Sequence, residues 1–123
     1  MTKRDERALR ELIEKWQKKL ALAHWSVRTF SSKKPAEEES IMASVSLDTE
    51  YLQASITVYP SWVEANHRDR EHAIVHELCH LIAEELAQCA LQMLDGQLVT
   101  RKHVRASVER LVETMARNHT RRG

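Results

Sequence analysis

The chain has 123 residues, 42% of them apolar and 30% charged, with a formal net charge of +1. That is one domain's worth of protein, long enough for a core without disulfides, and the balance excludes a disordered chain. Only two glycines and two prolines occur, too few for the tight turns of an all-β sandwich or barrel, and no apolar run reaches the roughly 18 residues of a membrane span.

The first element is a helix ending near Ala23. Leu9, Leu12, Ile13, Trp16 and Leu20 recur at helical spacing, with Lys, Arg and Glu on the other face. His24 to Phe30 alternates apolar and polar, as a half-buried strand does. Ser31 to Ser40, with Pro35 and three consecutive glutamates, is a loop. Ile41 to Leu47 and Gln53 to Tyr59 are two further strands, with Asp48-Thr49-Glu50 as the turn between them. Pro60 ends the strand set because it cannot donate to a ladder.

Ser61 to Glu64 has the pattern of a capping box and opens a short helix. A bend follows near Asn66–Asp69, with Asp69 as a second N-cap. A long helix then runs to about Leu94, carrying Ala73, Ile74, Leu78, Leu81, Ile82, Leu86 and Leu91, with Asp95-Gly96 as its stop. A last helix covers Thr100 to Asn118, with Val104, Val108, Leu111, Val112 and Met115 as its stripe. The expected fold is α+β, a small three-stranded sheet covered by helices. It forms one domain over 1–123, with a helix and the sheet in 1–60 and the remaining helices in 61–123.

Cys79 and Cys89 stand ten residues apart in the long helix, a separation of roughly 15 Å and beyond disulfide reach. Free thiols, and an N-terminus with no apolar region after its charges, point to the reducing cytoplasm rather than to secretion. Residues 101–123 hold seven Lys/Arg against two acids. This is read as a solvated helix face, so no nucleic-acid partner is expected.

His76-Glu77-Leu78-Cys79-His80 is the stretch that carries chemistry. Residues four apart share a helix face, so both imidazoles reach one metal ion, and the intervening Glu77 stands where it can take a proton from a water at that ion. With 7 histidines and 14 glutamates in the chain, chance supplies such a match only about 0.04 times. His72 repeats the spacing, but His72 and His80 are about 12 Å apart in helix rise, so one ion cannot take all three. Glu71 precedes the His72/His76 pair instead of lying inside it. His72 is therefore read as a surface residue or one that backs a ligand.

A catalytic zinc takes three protein ligands. The extended metzincin motif is excluded, because its glycine and third histidine positions are Ala83 and Leu86. Helix rise carries Glu84 away from the two histidines. On the last helix, at about 100° per residue from Val104, Glu109 falls near 140° and Glu113 near 180°, with the apolar stripe near 30°. Glu109 thus borders the packed face and Glu113 points more to solvent. Glu109 is the favoured third ligand; Glu113 and His103 remain alternatives, and His119 lies in the tail.

The sequence resembles the minimal gluzincin metallopeptidases, or minigluzincins, and similar small phage-type peptidases. The stretches that carry the resemblance are Trp16 to Trp25, Tyr51 to Pro60, Ile74 to Leu81 and Val108 to Ala116. It implies a minimal zincin-like fold with an active-site helix and a glutamate helix. It also implies zinc on His76, His80 and Glu109, and Glu77 as general base. The implied substrate is an extended peptide or protein along an edge strand at Gln53–Tyr59. Larger gluzincins add a subdomain with an oxyanion-stabilising Tyr or His; here Tyr59 and His103 are the residues that could serve. The expected function is zinc-dependent peptide hydrolysis. The alternatives are a catalytically weak zinc-binding or protein-interaction module, and a SprT-like nucleic-acid-associated protease with His103 as third ligand. The pattern does not set the oligomeric state.

Overall fold

The structure, a computed structural model, describes residues 1–38 and 40–93, without the side chains of 89, 92 and 93. Of the C-terminal segment it describes 101, 102, 105, 106, 108, 109, 112, 113, 116 and 117, all helical. The Asp95-Gly96 stop, Val104, Leu111, Met115, His103 and His119 lie outside the described residues.

Helix α1 (Lys3–Lys19) starts where Thr2 and Asp5 cap each other: Thr2 Oγ1 accepts from the Asp5 N–H at 3.1 Å, and Asp5 Oδ2 accepts from the Thr2 N–H at 3.1 Å. The Thr2 N–H and the Thr2 hydroxyl, which donates to Asp5 Oδ2 at 2.9 Å, hold the Asp5 carboxyl below its ordinary range. Leu9, Leu12, Ile13 and Trp16 are buried, as their spacing predicts. The helix stops four residues short of Ala23. Ala21 takes a left-handed φ of 56°, which lets the Leu22 N–H reach the Gln17 carbonyl at 2.7 Å and the Ala21 N–H reach that of Lys18 at 3.3 Å. This is a Schellman stop built on alanine instead of glycine.

The strands are β1 (Ser26–Ser31), β2 (Ala43–Asp48) and β3 (Gln53–Val58). Their order is β1-β3-β2, with β1 parallel and β2 antiparallel to β3. The register stacks Val27, Ala54 and Leu47 in one row and Thr29, Ile56 and Val45 in the next. These rows form the face turned to the core; Arg28 and Phe30 are exposed. Strand β3 is therefore central, and the expectation that Gln53–Tyr59 forms an edge is corrected. Alternation records which face a strand buries, but both β1 and β2 pair with β3 and take up its two sides. The β2–β3 turn is tied by Asp48 Oδ1, which accepts from the Glu50 N–H at 2.9 Å.

Helix α2 (Pro60–Glu64) begins at Pro60 behind Tyr59, with no side-chain cap. The Ser61–Glu64 capping box does not form: Pro60 starts the helix one residue earlier, and Ser61 Oγ donates to the Ile41 carbonyl at 3.1 Å. The next cap is Asn66 rather than Asp69. Asn66 Oδ1 accepts from the Asp69 N–H at 2.9 Å, and Asn66 Nδ2 donates to Asp69 Oδ2 at 3.1 Å.

Helix α3 (His67–Met93) is the axis of the molecule. Ile74, Val75, Leu78, Cys79, Leu81 and Ala83 are fully buried on it, and it packs against α1, α2 and β2. Leu86 alone breaks the expected stripe, being 59% exposed. Arg70 ties its first turns to the rest. Its guanidinium donates to the carbonyls of Trp62 and Val63, lies 4.8 Å from the Trp62 ring centre and pairs with Asp5 at 3.5 Å. Val108, Val112 and Ala116 of the C-terminal segment are buried in the same core. No helix among the described residues is long and apolar enough to cross a membrane.

Ala21 is exposed, so its strain is separable from packing. An L-residue in the left-handed region costs about 1–2 kcal/mol, part of which glycine returns as chain entropy. Ala21→Gly is expected to raise unfolding free energy by about 0.5–1 kcal/mol, read from urea denaturation; a loss of stability would overturn the account of this stop.

Candidate metal centre

His76 and His80 lie one turn apart on α3, 22% and 15% exposed, with ring centres 5.2 Å apart. Both stand on the polar stripe that also carries His72 and Glu84. Glu109 of the C-terminal segment meets them: its Oε1 is 3.0 Å from His80 Nε2. One ligand atom from each of His76, His80 and Glu109 lies within 4.8 Å of the others. The three residues expected to bind a metal are thus brought together.

The donor set fits zinc. Two imidazoles and a carboxylate are the ligands of a catalytic zinc with an open fourth position, and donors around such an ion stand roughly 3–3.5 Å apart. Closing the observed cluster to that spacing takes side-chain movement on the order of 1 Å. A ligating histidine must be neutral. Burial holds His80 below the ordinary histidine range, helped by His76 and opposed by the charges of Glu109 and Glu84.

Glu113 does not point to solvent, and that expectation is corrected. Its side chain is 36% exposed, less than the 59% of Glu109. Its Oε2 lies 2.7 Å from His76 Nδ1, and its Oε1 lies 3.4 Å from His72 Nε2 and accepts from Arg117 Nε at 3.1 Å. Burial pulls its pKa up, but Arg117 and the two histidines outweigh burial and keep it low, hence ionised. A carboxylate on Nδ1 fixes the ring and leaves Nε2 as the donor for a metal. Helix phase missed this role because it measures angle from a helix's own stripe and ignores the neighbour's polar groups. A usable signal existed: the glutamates at 109 and 113 repeat the four-residue spacing of His76 and His80, and the two helices run antiparallel.

Glu77 is only 8% exposed. Burial raises its carboxyl to about 8, with the charge of Glu109 adding to the effect. It lines an open cleft of about 640 Å³ that also touches His76, His80, Glu84, Arg105 and Glu109, and on its far wall Ala43, Val45 and Leu47 of β2. A second hollow of about 380 Å³ continues past His76 and Glu77 toward Ile41, Met42 and His72. The strand along the cleft is therefore β2, an edge strand, in place of Gln53–Tyr59. Tyr59 is spent elsewhere: its hydroxyl bonds Ser44 Oγ at 2.9 Å. Glu84 lies outside the ligand cluster and pairs with Arg105, and Glu71 pairs with Lys15 at 3.3 Å. Cys79 is a free, buried thiol that burial raises to about 11, so it is unreactive.

No protein-family model, curated protein or solved structure matches this chain. The roles of the two glutamates are separable by metal titration. Glu109→Ala is expected to abolish stoichiometric zinc binding at micromolar concentration. Glu113→Ala is expected to keep one ion per chain and weaken it about 10–100-fold. Equal effects from the two substitutions would contradict these roles.

Proposed function

We propose that this chain is a zinc-dependent peptidase of the gluzincin kind, acting in the cytoplasm. The observation that carries the reading is the combination of His76, His80 and Glu109 with the buried carboxyl of Glu77 in one open cleft. Zinc held by the three ligands supplies Lewis acidity toward a peptide carbonyl and lowers the pKa of the attacking water.

The chain's own residues supply the rest. Glu77, whose ionised form a cation at the site would favour, takes the proton of the attacking water and returns it to the leaving amine. Glu113 holds His76 in the tautomer that leaves Nε2 for the metal. Strand β2 borders the cleft and has one main-chain edge unpaired in the sheet. An extended peptide adding to that edge would pass both hollows, on either side of Glu77.

A second reading, a zinc-binding or interaction module of little catalytic power, is favoured by one observation. The Tyr59 hydroxyl is engaged by Ser44, and no tyrosine lines the cleft among the described residues. Cleavage of a peptide library by the zinc-loaded protein separates the two readings; zinc that raises the melting temperature with no cleavage selects the second.

Glu77→Gln tests the mechanism. The variant should bind zinc as wild type does, lose about 10²–10⁴-fold in cleavage rate, and unfold no more readily without metal, since it replaces a buried acid with a neutral isostere. A zinc-loaded Glu77→Gln protein that cleaves at the wild-type rate would sink the mechanism, and a wild type that takes up no zinc after reconstitution would sink the reading itself.

A further inference from the structure

The contacts between α3 and the C-terminal segment form an ordered ladder. His76 and His72 meet Glu113, His80 meets Glu109, and Glu84 meets Arg105. Each step moves four residues forward on α3 and four back on the partner. The first two rungs contain the metal cluster and the carboxylate behind it. The third contains neither, and Glu84 and Arg105 have no part in the proposed chemistry.

We propose that the Glu84–Arg105 pair is a register clasp, which holds the C-terminal segment so that Glu109 stands opposite His80. Arg105 is a positioning residue. It lies one turn from Glu109, as Glu84 lies one turn from His80, so the clasp is about 6 Å along the helices from the ligand contact. A slip of one residue would rotate Glu109 by about 100° and shift it by about 1.5 Å, enough to take its carboxylate off His80. The opposite end is held by Glu113, so the ligand rung is bracketed on both sides.

The burial of Glu84 favours this role over an ordinary surface bridge. The Glu84 side chain is only 12% exposed, while that of Arg105 is 46% exposed. Removing Arg105 would leave a mostly covered carboxylate without its cation, and the segment must move to let water reach it. The pair also lines the cleft.

Electrostatics alone predicts the reverse effect on metal binding. Taking a cation away from a cation site should tighten it; loss of a clasp should loosen it. Arg105 is the side to change, because the charge of Glu84 also reaches His80. The proposal rests on the metal-binding reading above for its main readout and has a second that does not.

Zinc affinity of the full chain would be measured by chelator competition for wild type, Arg105→Ala, Arg105→Lys, and the exchanged pair Glu84→Arg with Arg105→Glu. The clasp predicts affinity lower by about tenfold in Arg105→Ala, in the range seen for groups that orient ligands from outside the coordination sphere, and largely kept in Arg105→Lys. Recovery in the exchanged pair adds support. Unchanged or tighter binding in Arg105→Ala overturns it, whatever the exchanged pair does. If wild type binds no zinc, the functional reading fails separately, and amide hydrogen exchange over residues 105–113 of the metal-free protein decides the clasp. Faster exchange in Arg105→Ala that is restored in Arg105→Lys supports it; equal exchange in wild type and Arg105→Ala overturns it.

Discussion

The structure turns on a polar stripe along a helix whose middle turns are largely buried. Six residues of α3 between Ile74 and Ala83 are fully buried, yet His72, His76, His80 and Glu84 run through the same turns. A helix this deep in a small protein cannot leave imidazoles and a carboxylate without partners. Glu113, Glu109 and Arg105 are those partners. The demand for satisfied polar groups thus places two carboxylates against two histidines before any metal is considered. His80 Nε2 and Glu109 Oε1 stand 3.0 Å apart and satisfy each other. The site and the docking of the last segment are one set of contacts, so changes made for chemistry will be felt in stability.

Much of this was legible in the residues, for identifiable reasons. The α1 stripe and the long helix announce themselves because a 3.6-residue period needs only apolar spacing. The pairing of His76 with His80 follows from helix geometry alone. What stayed hidden depends on neighbours. Ala54, Ile56 and Val58 alternate as an edge strand would, and nothing in them reports that β1 returns on one side and β2 on the other. Glu113 looked solvated because its angle was taken from its own helix, when the histidines of α3 decide where a carboxylate is wanted. The Ser61–Glu64 capping pattern lost to Pro60, whose fixed φ starts a helix as well as any cap. Ala21 carries a left-handed turn that sequence normally marks with glycine.

The division of labour among elements explains how so short a chain brings the parts of the proposed site together. Helix α3 brings both imidazoles and the buried carboxyl of Glu77 on adjacent turns. The C-terminal segment brings the proposed third ligand and the carboxylate at His76 Nδ1. Strand β2 brings an unpaired main-chain edge to the rim of the cleft. None of these needs a dedicated loop, so the geometry is held by regular backbone. The cost falls at Glu77, an acid buried where a leucine would pack better. Such a residue adds nothing to folding, and the proposed role beside a metal accounts for its place there.

The last segment shows how apolar and polar contacts divide the work of assembly. Among its described residues, Val108, Val112 and Ala116 are buried. Two valines and an alanine contribute only a few kcal/mol, at about 0.8 kcal/mol per buried methylene. Burial of this kind is non-directional. It brings the segment onto the core, but with side chains this small it tolerates rotation and sliding at little loss. The ion pairs are directional and individually weak. They do little to make the segment dock, yet they decide which residue of one helix stands opposite which residue of the other. Under the proposed clasp, the register that sets Glu109 opposite His80 comes from the weaker class of interaction.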